Sequence, residues 1–289
     1  MARHRISRVA GVVGGCAVAA ALAQPAYANH PVPEGSTTPA VNMERVLLAA
    51  QLDPGRTGTG TTLGAKASVL RVEQALHRKH LLAKRWVDGS FGSRTKAAYA
   101  NWQRRLGYSG LGANGLPGET SLRKLGAGHF RVMRVVTIGP HISVGSGVVL
   151  NRRTNRMKKA AGSRIRQHFS CTITVVQGSY NAGGVGASAG THDGGGALDV
   201  SVNRGCGLHH RATVRALREV GFAAWYRPTI PGVWTHHIHA IAVSDPDLAS
   251  GAQDQVVDYY HGRDGLAGHG PDNGPKVRKV TWEQYRRAH

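Results

Sequence analysis

An α+β fold is predicted for this chain, with a small helical module ahead of a unit of mixed helices and strands. Three observations predict it. Apolar residues recur at helical spacing from Ala67, a turn sequence is repeated between two such helices, and strand-like runs alternate with helical spacing from Phe130 onward. A length of 289 residues allows two domains.

At the N-terminus, Arg3, Arg5 and Arg8 precede an uncharged apolar run, Val9 to Ala23, and Ala26-Tyr27-Ala28 supplies small residues before Asn29. This reads as a secretory signal peptide over residues 1–28. The run is shorter than the roughly 20 residues a helix needs to cross a bilayer, and no later stretch comes closer, so no transmembrane anchor is expected. Cys16 is followed by further apolar residues, which argues against a lipid attachment site there. Cys171 and Cys206 remain, as a disulfide or as two unpaired small residues. Residues 29–66 are rich in Pro, Gly, Thr and Ser and read as a mostly flexible linker, in which the apolar patch Val46-Leu47-Leu48-Ala49-Ala50 is open between linker and one docking turn of helix.

The formal charge is +21, from 37 Lys and Arg against 16 Asp and Glu. Such a chain seeks polyanions or carries a solvated basic face. Export makes anionic wall polymers the expected partner, and no nucleic acid is expected.

Val69, Val72, Leu76 and His80 place one apolar stripe on a helix. Val87-Asp88-Gly89-Ser90-Phe91-Gly92-Ser93-Arg94-Thr95 then forms a turn opening a second helix, which carries Ala98, Trp102 and Leu106 inward and stops at Gly107. Ala113-Asn114-Gly115-Leu116-Pro117-Gly118-Glu119-Thr120-Ser121 repeats that turn and opens a third helix to Leu125. In both turns glycine permits the tight bend, and the hydroxyl of Thr95 or Ser121 is expected to cap a helix. The turn-plus-helix repeat, with its buried Trp and Gln, resembles the peptidoglycan-binding domain-1 family over residues 67–126. The resemblance implies binding to peptidoglycan.

The remainder, 127–289, begins with a strand expected over Phe130 to Ile138, a helix over Thr154 to Gln167 and a strand over Thr172 to Gln177. Two stretches there carry chemistry. In Thr191-His192-Asp193-Gly194-Gly195-Gly196-Ala197-Leu198-Asp199-Val200, strand alternation sets Asp199 opposite to Leu198 and Val200, and the glycine turn brings His192 back toward it. In Trp234-Thr235-His236-His237-Ile238-His239, His237 and His239 share a strand face. Three ligands of His and Asp type with a fourth position open to water is how catalytic zinc sites are built.

These motifs resemble the superfamily of zinc D-Ala-D-Ala carboxypeptidases, lysostaphin-type endopeptidases and related murein peptidases. The resemblance implies a central antiparallel sheet, zinc held by His192, Asp199 and His239, and His237 as the proton-handling residue. His192-x-x-Gly195-x-Ala197-x-Asp199 is most similar to the carboxypeptidase type, as is the upstream Gln177-Gly178-Ser179-Tyr180. Asn181 stands where many members carry an arginine that stabilises substrate charge, and His236 where carboxypeptidases often place an acidic base. His236 is therefore a second catalytic candidate. Beyond it, Trp225 is expected to pack in the core and Arg227 to meet a peptide carboxylate. Taken together, the resemblance implies a secreted, zinc-dependent peptidoglycan peptidase, with a non-catalytic wall-binding protein of the same fold as the alternative.

Overall fold

The computed structural model describes residues 38–55, 61–145, 147–184 and 186–289, so the expected signal peptide lies outside the described residues. Thr38–His289 form one compact unit. Its elements in chain order are β1 (Ala40–Asn42), α1 (Met43–Leu52), α2 (Lys66–Arg78), α3 (Ser93–Arg105), α4 (Glu119–Gly126), β2 (Arg131–Met133), β3 (His141–Gly145), β4 (Val148–Asn151) and α5 (Arg152–Ile165). Then follow β5 (Val175–Gln177), β6 (Ala197–Ser201), α6 (His210–Glu219), β7 (Phe222–Arg227), β8 (His237–Ala242), α7 (Ser250–His261) and α8 (Trp282–Ala288). The fold is mixed helix and sheet, with a small antiparallel sheet in the order β5-β6-β8-β7. Among the described residues, no helix is long and apolar enough to cross a membrane.

The segment expected as a linker contains α1. The Asn42 side chain caps it by accepting from the Arg45 backbone N–H, and Val46, Leu47, Ala49 and Ala50 are fully buried. Local Pro and Gly content concealed a helix whose stability comes from burial of one apolar face. The expected boundary at residue 126 falls inside the compact unit, because one apolar cluster runs from α1, α2 and α3 to Ala223, Trp225 and Ile241 of the sheet. Polar contacts span it too: Gln51 bonds Asp245 O and the Ser244 N–H, and Asn114 donates to Pro246 O.

Local expectations need three further corrections. Helix α2 ends at Arg78, and His80, at φ 56°, occupies the left-handed position that follows a helix, so it leaves the stripe and is exposed. The strand expected over 130–138 is confined to β2, which pairs in parallel with β1. Thr95 and Ser121 do not cap their helices, which start at Ser93 and Glu119 from glycine caps. Their hydroxyls point inward instead, Thr95 donating to Glu73 Oε1 at 2.8 Å and Ser121 bonding Tyr99 Oη at 2.9 Å.

Strand alternation sorts the sheet's two faces. Leu198, Val200, Phe222, Ala224, Ile238, Ala240 and Ala242 bury against α5, α6 and Trp282 of α8. Ala197, Ala223, Trp225 and Ile241 face α7 and the helical cluster. Cys171 and Cys206 are joined in a disulfide that closes 35 residues around β5 and β6, a cross-link worth about 3–4 kcal/mol by chain entropy.

Candidate metal centre

Pairing of β6 with β8 sets Asp199 directly opposite His239 and Ser201 opposite His237, while β7 sets Trp225 beside His239 and Arg227 beside His237. Asp199 and His239 therefore share the face that looks toward α7. His192 reaches them from the preceding loop. That loop is held by two backbone hydrogen bonds, Tyr180 N to Gly194 O and Asn181 N to His192 O. The glycine turn after it is packed tightly: a Cβ on Gly195 would stand 2.7 Å from Tyr180 Oη and 2.9 Å from Asp247 Cβ.

His192, Asp199 and His239 are buried, and one donor atom of each lies within 4.8 Å of the others, so the group could hold a metal ion. Hydrogen bonding fixes how the rings present themselves. A carbonyl oxygen only accepts, so His192 Nδ1 donates to Gly178 O at 2.8 Å and His237 Nδ1 donates to Thr235 O at 2.7 Å. In the neutral rings both Nε2 atoms then carry lone pairs, and they lie 3.4 Å and 4.0 Å from Asp199 Oδ1. His239 contacts Gln255 Oε1 through Nε2 at 2.9 Å and Asp199 Oδ1 through Nδ1 at 2.7 Å. Burial lowers His239 to about 4, so the ring is neutral near pH 7. Both partners are acceptors and a neutral ring carries one proton, so His239 donates to only one of them at a time.

Three imidazole rings thus converge on one carboxylate oxygen. Burial alone would raise Asp199, but its close contacts with His192 and His239 outweigh it and hold the carboxyl well below its usual range. Burial alone would lower His192, yet the hydrogen bond and charge of Asp199 raise it above the ordinary imidazole value. A proton on His192 competes with a metal for the same place. The donor set and the second contacts of His192 and His239 fit a metal of the kind that takes imidazole and carboxylate ligands.

The group lies at the floor of a cleft of about 410 Å³ lined also by Gln177, Arg227, Trp234, His236 and His237. His237 is brought to the centre. His236 lines the cleft, but its ring makes no hydrogen bond among the described residues, and its backbone N–H is held by Thr229 Oγ1. Asn181 is exposed and outside the cleft. Trp225 is buried as expected and carries the Arg227 guanidinium 4.9 Å from its ring. Arg227 donates through Nη1 to Asp264 O at 2.7 Å, while Nη2 is buried without a hydrogen-bond partner. Burial lowers its pKa to about 10. Gln255, on α7, went unnoticed in the sequence, where nothing distinguishes it from a surface glutamine.

Comparison with protein-family models, curated proteins and solved structures finds no match for this chain.

Proposed function

We propose that this chain is a secreted, zinc-dependent peptidase acting on peptidoglycan peptides, targeted to the wall by the helical repeat of residues 67–126. The observation that carries the reading is the convergence of His192, Asp199 and His239 on the floor of an open cleft, with His237 Nε2 beside them. A disulfide fits an oxidising compartment outside the cytoplasm.

In this reading His192 Nε2, His239 Nδ1 and Asp199 Oδ1 hold the metal, and Gln255 and Gly178 O orient the two rings. A zinc ion held there would supply Lewis acidity, to polarise an amide carbonyl and make water nucleophilic at neutral pH. His237, whose Nδ1 proton is committed to Thr235 O, offers Nε2 to take the proton of the attacking water and deliver it to the leaving nitrogen. The buried guanidinium of Arg227 meets a substrate carboxylate or the negative charge that develops on the carbonyl oxygen. Among the described residues Asp199 is the only carboxylate lining the cleft, so proton handling falls to His237, with His236 next in line.

That absence of a second carboxylate in the cleft also supports the alternative, a wall-binding protein that keeps the fold without catalysis. Incubating purified peptidoglycan with the full chain, with zinc or with chelator, separates the two. Fragments read by mass should show new amino termini or free D-amino acid with zinc, and none with chelator, His239→Ala or His237→Ala. Unchanged peptidoglycan, with the chain still pelleting with the wall, would establish the binding protein.

A further inference from the structure

The basic residues of this chain are not spread evenly, and one helix concentrates them. Helix α5 contains six Lys and Arg residues and no acid. Two of the six are neutralised by neighbours: Arg153 pairs with Glu283 at 2.8 Å and Arg164 with Glu219 at 2.7 Å. The acids nearby are thereby used on the inner and lateral sides of the helix. Arg152, Arg156 and Lys159 are exposed, and their side chains make no ion pair or hydrogen bond among the described residues. With Arg166 at the C-cap, they follow the spacing i, i+4, i+7, i+14, and Ser163 fills the place at i+11. These positions lie on one line, opposite Met157, Ala161 and Ile165, which face the core. The line is about 21 Å long at 1.5 Å per residue.

This arrangement is unfavourable for the helix by itself. Like charges at i, i+4 repel, and Arg152 stands at the N-terminus, where the helix dipole disfavours a cation. Among the described residues no acid pairs with Arg152, Arg156 or Lys159 to offset either cost. Helix α5 packs on the sheet face opposite to Asp199 and His239, so a ligand along its outer side leaves the cleft open.

We propose that the outer line of α5 is a binding site for a single extended polyanion strand of the wall-polymer type, with a phosphate charge on each repeat. A line one cation wide fits a single extended strand. It does not fit a bilayer surface, because a helix that lies on a membrane pairs its cations with exposed apolar residues, and none of the exposed large hydrophobic residues lies on α5 or α8. Preference for a wall-type polymer over nucleic acid rests on the extracytoplasmic reading above, whereas the site itself does not.

Binding of long-chain inorganic polyphosphate to the full chain, followed across a salt series, tests the assignment. The triple variant Arg152→Gln/Arg156→Gln/Lys159→Gln keeps good helix formers and removes the repulsion, so it folds. It should bind at least about 10-fold more weakly and lower the slope of log affinity against log salt by about three. A control with equal charge change at exposed positions off the line, Arg131→Gln/Arg134→Gln/Arg204→Gln, should lose less than about 2-fold by the same counting. Equal losses in the two variants, or no binding of polyphosphate, would overturn the site. Tighter line-dependent binding of duplex DNA or of phosphatidylglycerol vesicles than of polyphosphate would overturn the partner class. Hydrolysis of short soluble wall peptides should be the same in the triple variant and the parent, so failure of the peptidase reading and failure of this one give different results.

Discussion

Glu73 offers a perturbation whose size follows from the structure. It is fully buried on α2, and its carboxylate receives the first of the two repeated turns: Oε2 accepts from Asp88 N at 3.0 Å and Gly89 N at 2.7 Å, and Oε1 from Thr95 Oγ1 at 2.8 Å. Burial raises its pKa from 4.5 to about 7, the Asp88 charge adds to the rise, and the three hydrogen bonds only partly oppose it. In the second turn the equivalent residue is Gln103, which accepts from Gly115 N at 2.8 Å and donates to Leu116 O at 2.9 Å without a charge. Below the unfolded pKa both states of Glu73 are protonated and nothing is lost. Between about 4.5 and 7 the folded chain holds a proton that the unfolded chain has released, so stability falls as pH rises and levels off above 7. At 1.36 kcal/mol per unit the full loss is about 3 kcal/mol at most. Glu73→Gln can keep all three contacts, Oε1 accepting from the two backbone N–H groups and Nε2 donating to Thr95. Urea unfolding of the two proteins at a series of pH values should give equal stabilities near pH 4.5 and a variant more stable by about 2–3 kcal/mol at pH 8. Other groups titrate alike in both and cancel in the difference. A difference that stays flat with pH, or a variant less stable at pH 8, would refute the account of the buried carboxyl.

Two predictions concern the centre. Gln255→Ala removes the acceptor that fixes His239 and should weaken zinc binding by about 10- to 100-fold in a chelator competition, with the fold unchanged by circular dichroism. Arg227→Lys keeps a cation but loses the planar fork. It should lower kcat/KM by about 10-fold or more for wall peptides with a free C-terminal carboxylate and far less for their amides, whereas equal losses would assign Arg227 to the reacting carbonyl.

Residue types and strand period were enough to pick out the centre. His192, Asp199 and His239 come together as a buried group that could hold a metal ion, and alternation correctly put His237 and His239 on one face. The same local reading missed α1, because the Pro and Gly around it are local while the reason for the helix is a core contributed by residues far along the chain. It missed Gln255, which meets His239 only through the packing of α7 on the sheet. It also mistook the role of Thr95 and Ser121. A hydroxyl near a helix start suggests a cap, and only the position of Glu73 and Tyr99 on neighbouring helices shows why the hydroxyls turn inward.

Register is the step between alternation and the centre. Period two decides which residues of β8 share a face but not which residue of β6 each one meets. A slip of one residue would carry Ile238 and Ala240 into the polar cleft and bring His237 and His239 against Leu150, Met157 and Leu217, where buried imidazoles would have no partners. A slip of two would keep the faces and set His237 or Ile241 opposite Asp199. Backbone contacts at the end of the hairpin exclude it: Ala242 N donates to Gly196 O at 2.9 Å and Val243 N to Gly221 O at 3.0 Å, which tie β8 to both neighbours at once. Gly196 at φ 80° and Gly221 at φ 104° hold conformations that other residues rarely adopt. The glycines that look like loop filler in the sequence therefore set the register, and the register sets Asp199 against His239.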